Sequence, residues 1–407
     1  MKDKKQRIYF DYASTTPILP EVVKAMTPYF SKDFYNPSAL YKEGVAVAKV
    51  LKGARADVAG VLSALPDEIV FTGSGTEADN LAILGVVKAS LAQIKKPHVI
   101  ISAIEHPAIM ELVPEIKKLG GEVTIVPVDA DGLVSASSIQ KALKSSTVLV
   151  SIMYANNEVG TIQPIKDIAK TIRYFKKAKS NKLSANYASR HDLLIAYPYF
   201  HTDASQAANY CNLNVLQLGI DLMTLDGSKV YGPKGIGMLF VKRGTNIHSI
   251  VYGGGQERGL RSGTENVPLI VGFAKALSVV SKSSREESSR LIKLRDKAIH
   301  KILSTTKGAI LNGDAKERLP NNINICFEGL DAEYAVIKAD ALGILCSGAS
   351  SCRTLSENSR SYVLEAMQKE GARDCADSSL RFTLGRGTSS SEIRTLLRLL
   401  PRIIENS

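Results

Sequence analysis

Short apolar, β-branched runs recur through the first part of the chain: Ile69 to Thr72, Val99 to Ser102, Val123 to Val128 and Val148 to Met153. Each is followed by a turn of small residues and then by apolar positions at helical spacing, the alternation that builds a mainly parallel sheet with helices packed on it. Residues 78, 81, 82, 85 and 86 make one such helical face, and Leu222 to Leu225 and Ile236 to Val241 read as further strands. From about Gly253 the texture changes to a glycine loop, a long charged helix over Ser283 to Leu303, and then short strands and helices. The pattern predicts a large α/β domain over residues 21–258 and a smaller α+β domain formed by 1–20 and 259–407. Between a helix and the strand leading to Asp203, the Lys-, Asn-, Ser- and Arg-rich stretch from Lys176 to about Tyr197 reads as a surface insertion.

Composition changes this picture little. With 407 residues, 44% hydrophobic and 23% charged, the chain can bury more than one core. No apolar run approaches a membrane span and the polar, Lys-rich start lacks a signal-peptide core, so a soluble cytoplasmic protein is expected. The net charge of +12 is spread over 52 basic residues without a dense run, which gives no reason to expect direct nucleic-acid binding. The five cysteines, Cys211, Cys326, Cys346, Cys352 and Cys375, lack the close pairing of zinc sites or disulfide frameworks. Reduced thiols and no metal are therefore expected.

Four short segments carry candidate chemistry, and all fall at predicted strand ends. The turn Thr72-Gly73-Ser74-Gly75-Thr76-Glu77 opens a helix, so its backbone N–H groups can receive an anion such as phosphate; alone it also reads as a Ser74/Glu77 capping box. His106, after the Val99 strand, can stack on a flat ring or move protons, although a lone histidine is often structural. Asp203 and Gln206 offer a carboxylate and an amide after a third strand; a carboxylate facing a pyridine nitrogen keeps it protonated, and Asp203 alone also reads as a helix cap. In Asp226-Gly227-Ser228-Lys229-Val230-Tyr231-Gly232-Pro233-Lys234-Gly235, Lys229 and Lys234 are both candidates for a Schiff-base amine, or for ordinary solvated lysines. Ligands of open α/β sheets bind at this edge, and four weak signals sharing it strengthen one another.

With these segments in order, the chain resembles the cysteine desulfurases, within class V of the pyridoxal 5'-phosphate (PLP)-dependent aminotransferase fold, fold type I. The matching stretches include Asp11 to Pro17, Asn36-Pro37-Ser38, Gly73 to Asn80, Glu105-His106, Asn156 to Gly160 and Asp203 to Gln206. Beyond them lie Lys229 to Gly237, Gly254 to Glu257, Arg261 to Thr264 and Arg381 to Arg386. The resemblance implies that Lys229 is the Schiff-base lysine and Lys234 structural, that Gly75, Thr76 and Ser228 serve the phosphate, and that His106 stacks on the ring. It implies that Asp203 pairs with the ring nitrogen and Gln206 with the phenolic oxygen, while Asn157 and Arg381 hold the substrate carboxylate. Thr264 would reach the phosphate of a second copy, making a homodimer. The small-residue run from Cys346 to Arg353 matches the mobile loop whose cysteine, here Cys352, receives sulfur from L-cysteine as a persulfide, with alanine as co-product. An iron-sulfur scaffold or a tRNA-thiolation protein would then accept the sulfur.

The chain departs from the family pattern in places. Ser228 stands where a histidine is usual, and Asp226 where many members carry a phosphate-binding serine. A carboxylate beside a phosphate is unfavourable, so Asp226 is expected to turn away, or the phosphate to rely on Thr76, Ser228 and Thr264. Tyr41 replaces a common histidine, and the Cys352 loop has a shifted glycine, Gly348, and a longer run to Ser361. Other readings consistent with the sequence are a selenocysteine lyase, another class V enzyme such as an aminotransferase, or an inactive module of a sulfur-relay complex.

Overall fold

The computed structural model describes residues 7–186, 197–348, 360–368 and 373–405. Thirteen strands are assigned among them: β1 (Ile8–Tyr9), β2 (Ile69–Thr72), β3 (His98–Ser102), β4 (Glu122–Val126), β5 (Thr147–Ser151), β6 (Tyr199–Asp203), β7 (Leu222–Asp226), β8 (Gly237–Val241), β9 (Ile310–Leu311), β10 (Asn322–Cys326), β11 (Ile344–Leu345), β12 (Ser347–Gly348) and β13 (Ser379–Thr383). β2 to β8 form a seven-stranded sheet in the order β2-β8-β7-β6-β5-β3-β4. β4, β3, β5, β6 and β7 run parallel; β8 is antiparallel to both β7 and β2. Strands β2, β3 and β5 are buried along their whole length, which is why they read as continuous apolar runs rather than alternating ones. One face of the sheet packs against the Gly75–Ser90 helix through Val70, Leu81, Val99 and Leu149, and the other against the Lys42–Leu62 and Val267–Thr305 helices through Phe71, Val58 and Phe273.

A four-stranded sheet, β12-β13-β10-β9, and the β1-β11 pair build a second core with the later part of the Val267–Thr305 helix and the Ser390–Ile404 helix. The N-terminal segment crosses to it: β1 pairs in parallel with β11, and Asp11 bridges to Thr383. The Val267–Thr305 helix is long and apolar enough to cross a membrane by length and composition, but Ile270, Phe273, Leu277, Val280, Leu291 and Ala298 on it are packed in the two cores.

One expectation is refined and one corrected. The stretch read as a surface insertion begins as helix: Lys176 to Asn186 continues the helix Ile165–Asn186, where Lys176 pairs with Asp221 at 3.2 Å and Lys179 donates to the Ser145 carbonyl at 2.8 Å. Lys176 and Lys179 belong to a helix flank that grips the sheet, which composition alone could not distinguish from a polar excursion. The remainder of that stretch, 187–196, lies outside the described residues, and Tyr197, which follows it, is buried against Tyr199. The expectation of reduced thiols fails for one pair, because Cys326 and Cys375 form a disulfide with a Cα–Cα distance of 5.4 Å. They are 49 residues apart, so no local spacing announced the pair.

Candidate functional site

Five strands of the large sheet end at one edge, and each delivers side chains to one cavity. After β2, the Gly75–Ser90 helix starts with Gly75 and Thr76; after β3 comes His106; after β5, Met153, Ala155 and Asn157; after β6, Asp203, Ser205 and Gln206; after β7, Asp226 and Lys229. Ala13, Ser14, Asp79 and Arg381 complete the lining. The carboxyl ends of parallel strands are where an open α/β sheet leaves its crevice.

Of the two candidate lysines, Lys229 lines this cavity, half-buried, whereas Lys234 is exposed. Lys229 follows β7 on a single helical turn, Gly227–Lys229, and its Nζ donates to the Ser14 carbonyl at 2.5 Å, while its own carbonyl accepts from Asn209 Nδ2 at 2.7 Å. Gly227 is required for this turn, since a Cβ there would stand 2.6 Å from the Pro233 carbonyl oxygen.

His106 caps the short helix Pro107–Met110, its Nδ1 accepting from the Ala108 N–H at 3.1 Å. That bond leaves the neutral ring's proton on Nε2. Burial, together with the nearby Lys229 ammonium, lowers the His106 pKa against the opposing pull of Asp203 and Asp226, favouring the neutral ring. The structural and chemical readings of His106 thus hold together: the cap fixes the tautomer. Asp203 likewise caps, accepting from the Ser205 N–H at 2.9 Å, and still lines the cavity. Gln206 donates one Nε2 hydrogen to the Ala13 carbonyl at 2.9 Å, and its amide has a second.

Arg381, in β13, is 1% exposed and is the hub of the far wall. Its Nη1 donates to the Asn157 carbonyl at 3.0 Å; its Nη2 donates to Asp11 Oδ1 at 2.9 Å, Ser14 Oγ at 3.0 Å and Ser347 Oγ at 3.2 Å. Its Nε is buried without a hydrogen-bond partner, as is Oδ1 of Asp79, and both residues line the cavity. Such unpaired buried groups are costly.

In the turn at Gly73 to Glu77 the Ser74 side chain caps the helix, but the return bond of a capping box goes to Gly73 rather than to Ser74. Ser74 Oγ accepts from the Glu77 N–H at 3.1 Å, while Glu77 reaches back to the Gly73 N–H at 3.0 Å and holds Arg261 at 2.8 Å. Of the two alternatives expected at Asp226, turning away does not occur: its Oδ2 accepts from the Gly75 N–H at 2.8 Å and its Oδ1 from the Ser228 N–H at 2.8 Å and hydroxyl at 2.5 Å. The electropositive helix start attracts the nearest carboxylate, and Asp226, at the end of the neighbouring strand, is that group.

Thr264 does not reach this cavity; it is exposed and lines a separate pocket with Gly73, Glu257 and Arg261. Cys352 lies outside the described residues. The flanking Cys346 packs against the second core, and burial pushes its thiol up to about 12, an inert character. Among the described residues no group of three His, Cys, Asp or Glu is placed to hold a metal ion.

Sequence reasoning missed a buried polar layer behind the cavity. Glu105 accepts from Ser102 Oγ at 2.5 Å and the Met153 N–H at 2.9 Å, and burial raises its pKa to about 8. Burial, reinforced by Asp203, also raises Asp79 well above the carboxylate range, while His201, 3.6 Å from Asp79, is pushed down to about 3. The signal available was the polar residues set inside apolar segments, His201 in the β6 run and Asp79 on the apolar helix face.

The class-V aminotransferase family model matches residues 8–180 and 195–396, leaving a gap where the polar stretch lies. A protein of Dictyoglomus turgidum named cysteine desulfurase IscS is 39% identical over 401 residues, 98% of this chain and 95% of that protein. One of the same name from Methanosarcina thermophila is 39% identical over 99% of this chain and 93% of its own length. Among solved structures, a NifS-like protein superposes with a TM-score of 0.86 at 30% identity over 98% of this chain and 99% of its own. A structure described as SspA in complex with cysteine gives 0.75 at 32% identity, covering 92% and 98%.

Proposed function

The chain belongs to the cysteine desulfurases of the class-V aminotransferase family, and from that membership we propose that it converts L-cysteine to L-alanine, retaining the sulfur as a persulfide on Cys352. The observation that carries this reading is the convergence of Lys229, His106, Asp203, Asn157 and Arg381 on one cavity at the sheet's carboxyl edge.

The cavity's residues fit PLP at its ring and substrate ends. An unpaired guanidinium nitrogen, a ring-sized space bounded by His106, and a carboxylate at Asp203 are the donor set that a flat pyridine with an amino-acid substrate requires. When bound, PLP supplies an electron sink for the bond being broken at the substrate's α-carbon. Asp203 holds a proton at the ring nitrogen, His106 covers the ring face, and Gln206 donates to the phenolic oxygen. Gly75, Thr76 and Ser228, with Thr264 of a second copy in a homodimer, serve the phosphate.

Asn157 and Arg381 hold the substrate carboxylate; the fork's two outer nitrogens are fixed by Asn157, Asp11, Ser14 and Ser347, so the guanidinium is positioned before substrate arrives. Lys229, once its amine is free, moves the α-proton, and its 2.5 Å contact with the Ser14 carbonyl keeps Nζ beside the arginine wall. His106, neutral and with its proton on Nε2, can donate that proton to the departing three-carbon fragment. The Cys352 thiolate attacks the substrate sulfur: an S–S bond forms, the C–S bond breaks, and alanine leaves.

We place the protein in the cytoplasm, with residues 21–258 as the cofactor domain and 1–20 with 259–407 as the smaller domain carrying the Cys352 loop. The sulfur goes on to an iron-sulfur scaffold or another acceptor protein. The test is the visible spectrum of the purified protein before and after cysteine, with alanine and Cys352-bound sulfur measured together. A PLP band lost in Lys229→Ala, with alanine formed and persulfide abolished in Cys352→Ala, is the expected result. A band without Cys352-dependent sulfur would turn the reading to a selenocysteine lyase or aminotransferase, and no band at all to an inactive sulfur-relay module.

A further inference from the structure

We propose that Asp226 caps the phosphate subsite of its own chain, so that PLP must displace an internal carboxylate to dock its phosphate, and that Asp226 thereby sets cofactor affinity. This inference rests on the PLP reading above. The Gly75–Ser90 helix has 16 residues, and its first N–H, on Gly75, is the donor that faces an incoming oxyanion at the strand-to-helix turn. That donor is already engaged by Asp226 Oδ2 at 2.8 Å. The other carboxylate oxygen takes both the N–H and the hydroxyl of Ser228, at 2.8 and 2.5 Å. Two of the three residues that the phosphate would use, Gly75 and Ser228, are thus satisfied within the chain.

The fit between the two elements is close. A Cβ on Gly75 would stand 3.0 Å from the Asp226 Cβ and 3.1 Å from its Oδ2, so the carboxylate lies directly over the helix start. Among the described residues, the cations nearest this corner are already engaged. Arg261, the nearest guanidinium to the turn, is held by Glu77 at 2.8 Å, and Lys229 Nζ is bonded to the Ser14 carbonyl. The other ionisable groups acting on this corner are Asp79, Asp203 and His106, two acids and a ring held neutral. A phosphate that enters gains the Gly75 and Ser228 donors only as Asp226 gives them up, and it then stands beside a carboxylate of the same sign. The substitution of an acid at this position converts a phosphate ligand into a competitor for the phosphate's donors.

Comparing two forms of the cofactor isolates the phosphate. The apoprotein of the full chain, its Asp226→Asn variant and its Asp226→Ser variant are titrated with PLP and with pyridoxal, which lacks the phosphate, and binding is read by calorimetry and by the visible band. The ratio of the pyridoxal Kd to the PLP Kd measures what the phosphate contributes. The expected result is that this ratio rises at least about 10-fold in both variants while the pyridoxal Kd stays within about 3-fold of wild type. An unchanged or lower ratio in both variants overturns the proposal and makes Asp226 a plain cap of the turn. A rise in Asp226→Ser alone also overturns it, since the gain then comes from the serine hydroxyl and not from removing the charge. Failure of either compound to give a Lys229-dependent band in any variant refutes the PLP reading itself, a result distinct from an unchanged ratio.

Discussion

Replacing Arg381 with lysine separates its two duties, holding the wall together and holding the substrate. The guanidinium makes four hydrogen bonds through its terminal nitrogens, and its Nε is buried without a partner. Lysine keeps the positive charge that Asp11 needs, so the variant avoids the unpaired carboxylate that alanine would leave, but one ammonium offers three donors from a single point. At least one internal bond and the Nε donor are lost. Hydrogen bonds to charged groups are each worth about 1.5–3 kcal/mol, so thermal or denaturant unfolding should show a stability loss of about 2–3 kcal/mol. The lost bond to a substrate carboxylate is of the same size, roughly 30- to 150-fold in kcat/KM, and should fall mainly on KM because the contact is made in ground and transition states alike. The assay is alanine formation against cysteine concentration, at equal cofactor occupancy, beside an unfolding curve. A destabilised variant with an unchanged KM would refute the assignment and leave Arg381 a purely structural hub.

Other consequences are independent of that contact. Glu105, raised from its ordinary 4.5 to about 8 by burial, holds a proton when folded that it releases when unfolded. Its contribution is therefore complete below pH 4.5 and is lost as pH rises from there through 8, by up to about 5 kcal/mol for a shift of that size. Glu105→Gln should match wild type in unfolding near pH 5 and exceed it at pH 9; parallel stability curves would contradict this. Gly237→Ala puts a Cβ 2.3 Å from the Ser74 carbonyl carbon, a backbone atom that cannot swing aside. Overpacking of this kind should cost about 1–3 kcal/mol in an unfolding experiment, and an unchanged midpoint would show that the β2 turn yields. Cys326→Ala, removing a crosslink over 49 residues, should lower stability by up to about 4 kcal/mol, with dithiothreitol producing the same loss in the wild type but none in the variant.

What the sequence made legible follows a physical division. The strand runs were readable because β2, β3 and β5 are buried on both faces, so burial alone dictates residue type, and their ends located the cavity because a parallel sheet exposes its carboxyl edge. The Gly75–Ser90 helix declared itself by the same logic, its buried positions Ala78, Leu81, Ala82, Gly85 and Val86 recurring at helical spacing. What stayed hidden depends on pairs distant in sequence. The Arg381 hub draws on Asp11, Ser14, Asn157 and Ser347, none within 30 positions of the arginine, and Cys326 meets Cys375 only because β10 and β13 lie side by side, with Cys326 opposite Ser379.

Asp226 shows how a local rule and its tertiary setting give opposite answers from the same electrostatics. Considered only beside a phosphate, an acid at that position should turn away, because like charges repel. In the folded chain the first partner it meets is the N–H of Gly75 at the start of a 16-residue helix, and the same charge that would repel a phosphate draws Asp226 onto it. The sign of the interaction is set by what occupies the corner before the cofactor does. The two expectations made for this corner, an acid turned aside and a phosphate held by Thr76, Ser228 and Thr264, were therefore not alternatives of equal footing. Turning inward uses the Ser228 hydroxyl as well as the Gly75 N–H, so the residue that departs from the family pattern at 226 and the one that departs at 228 act as a single unit. A histidine at 228 would keep the backbone N–H bond to Asp226 but not the short hydroxyl bond.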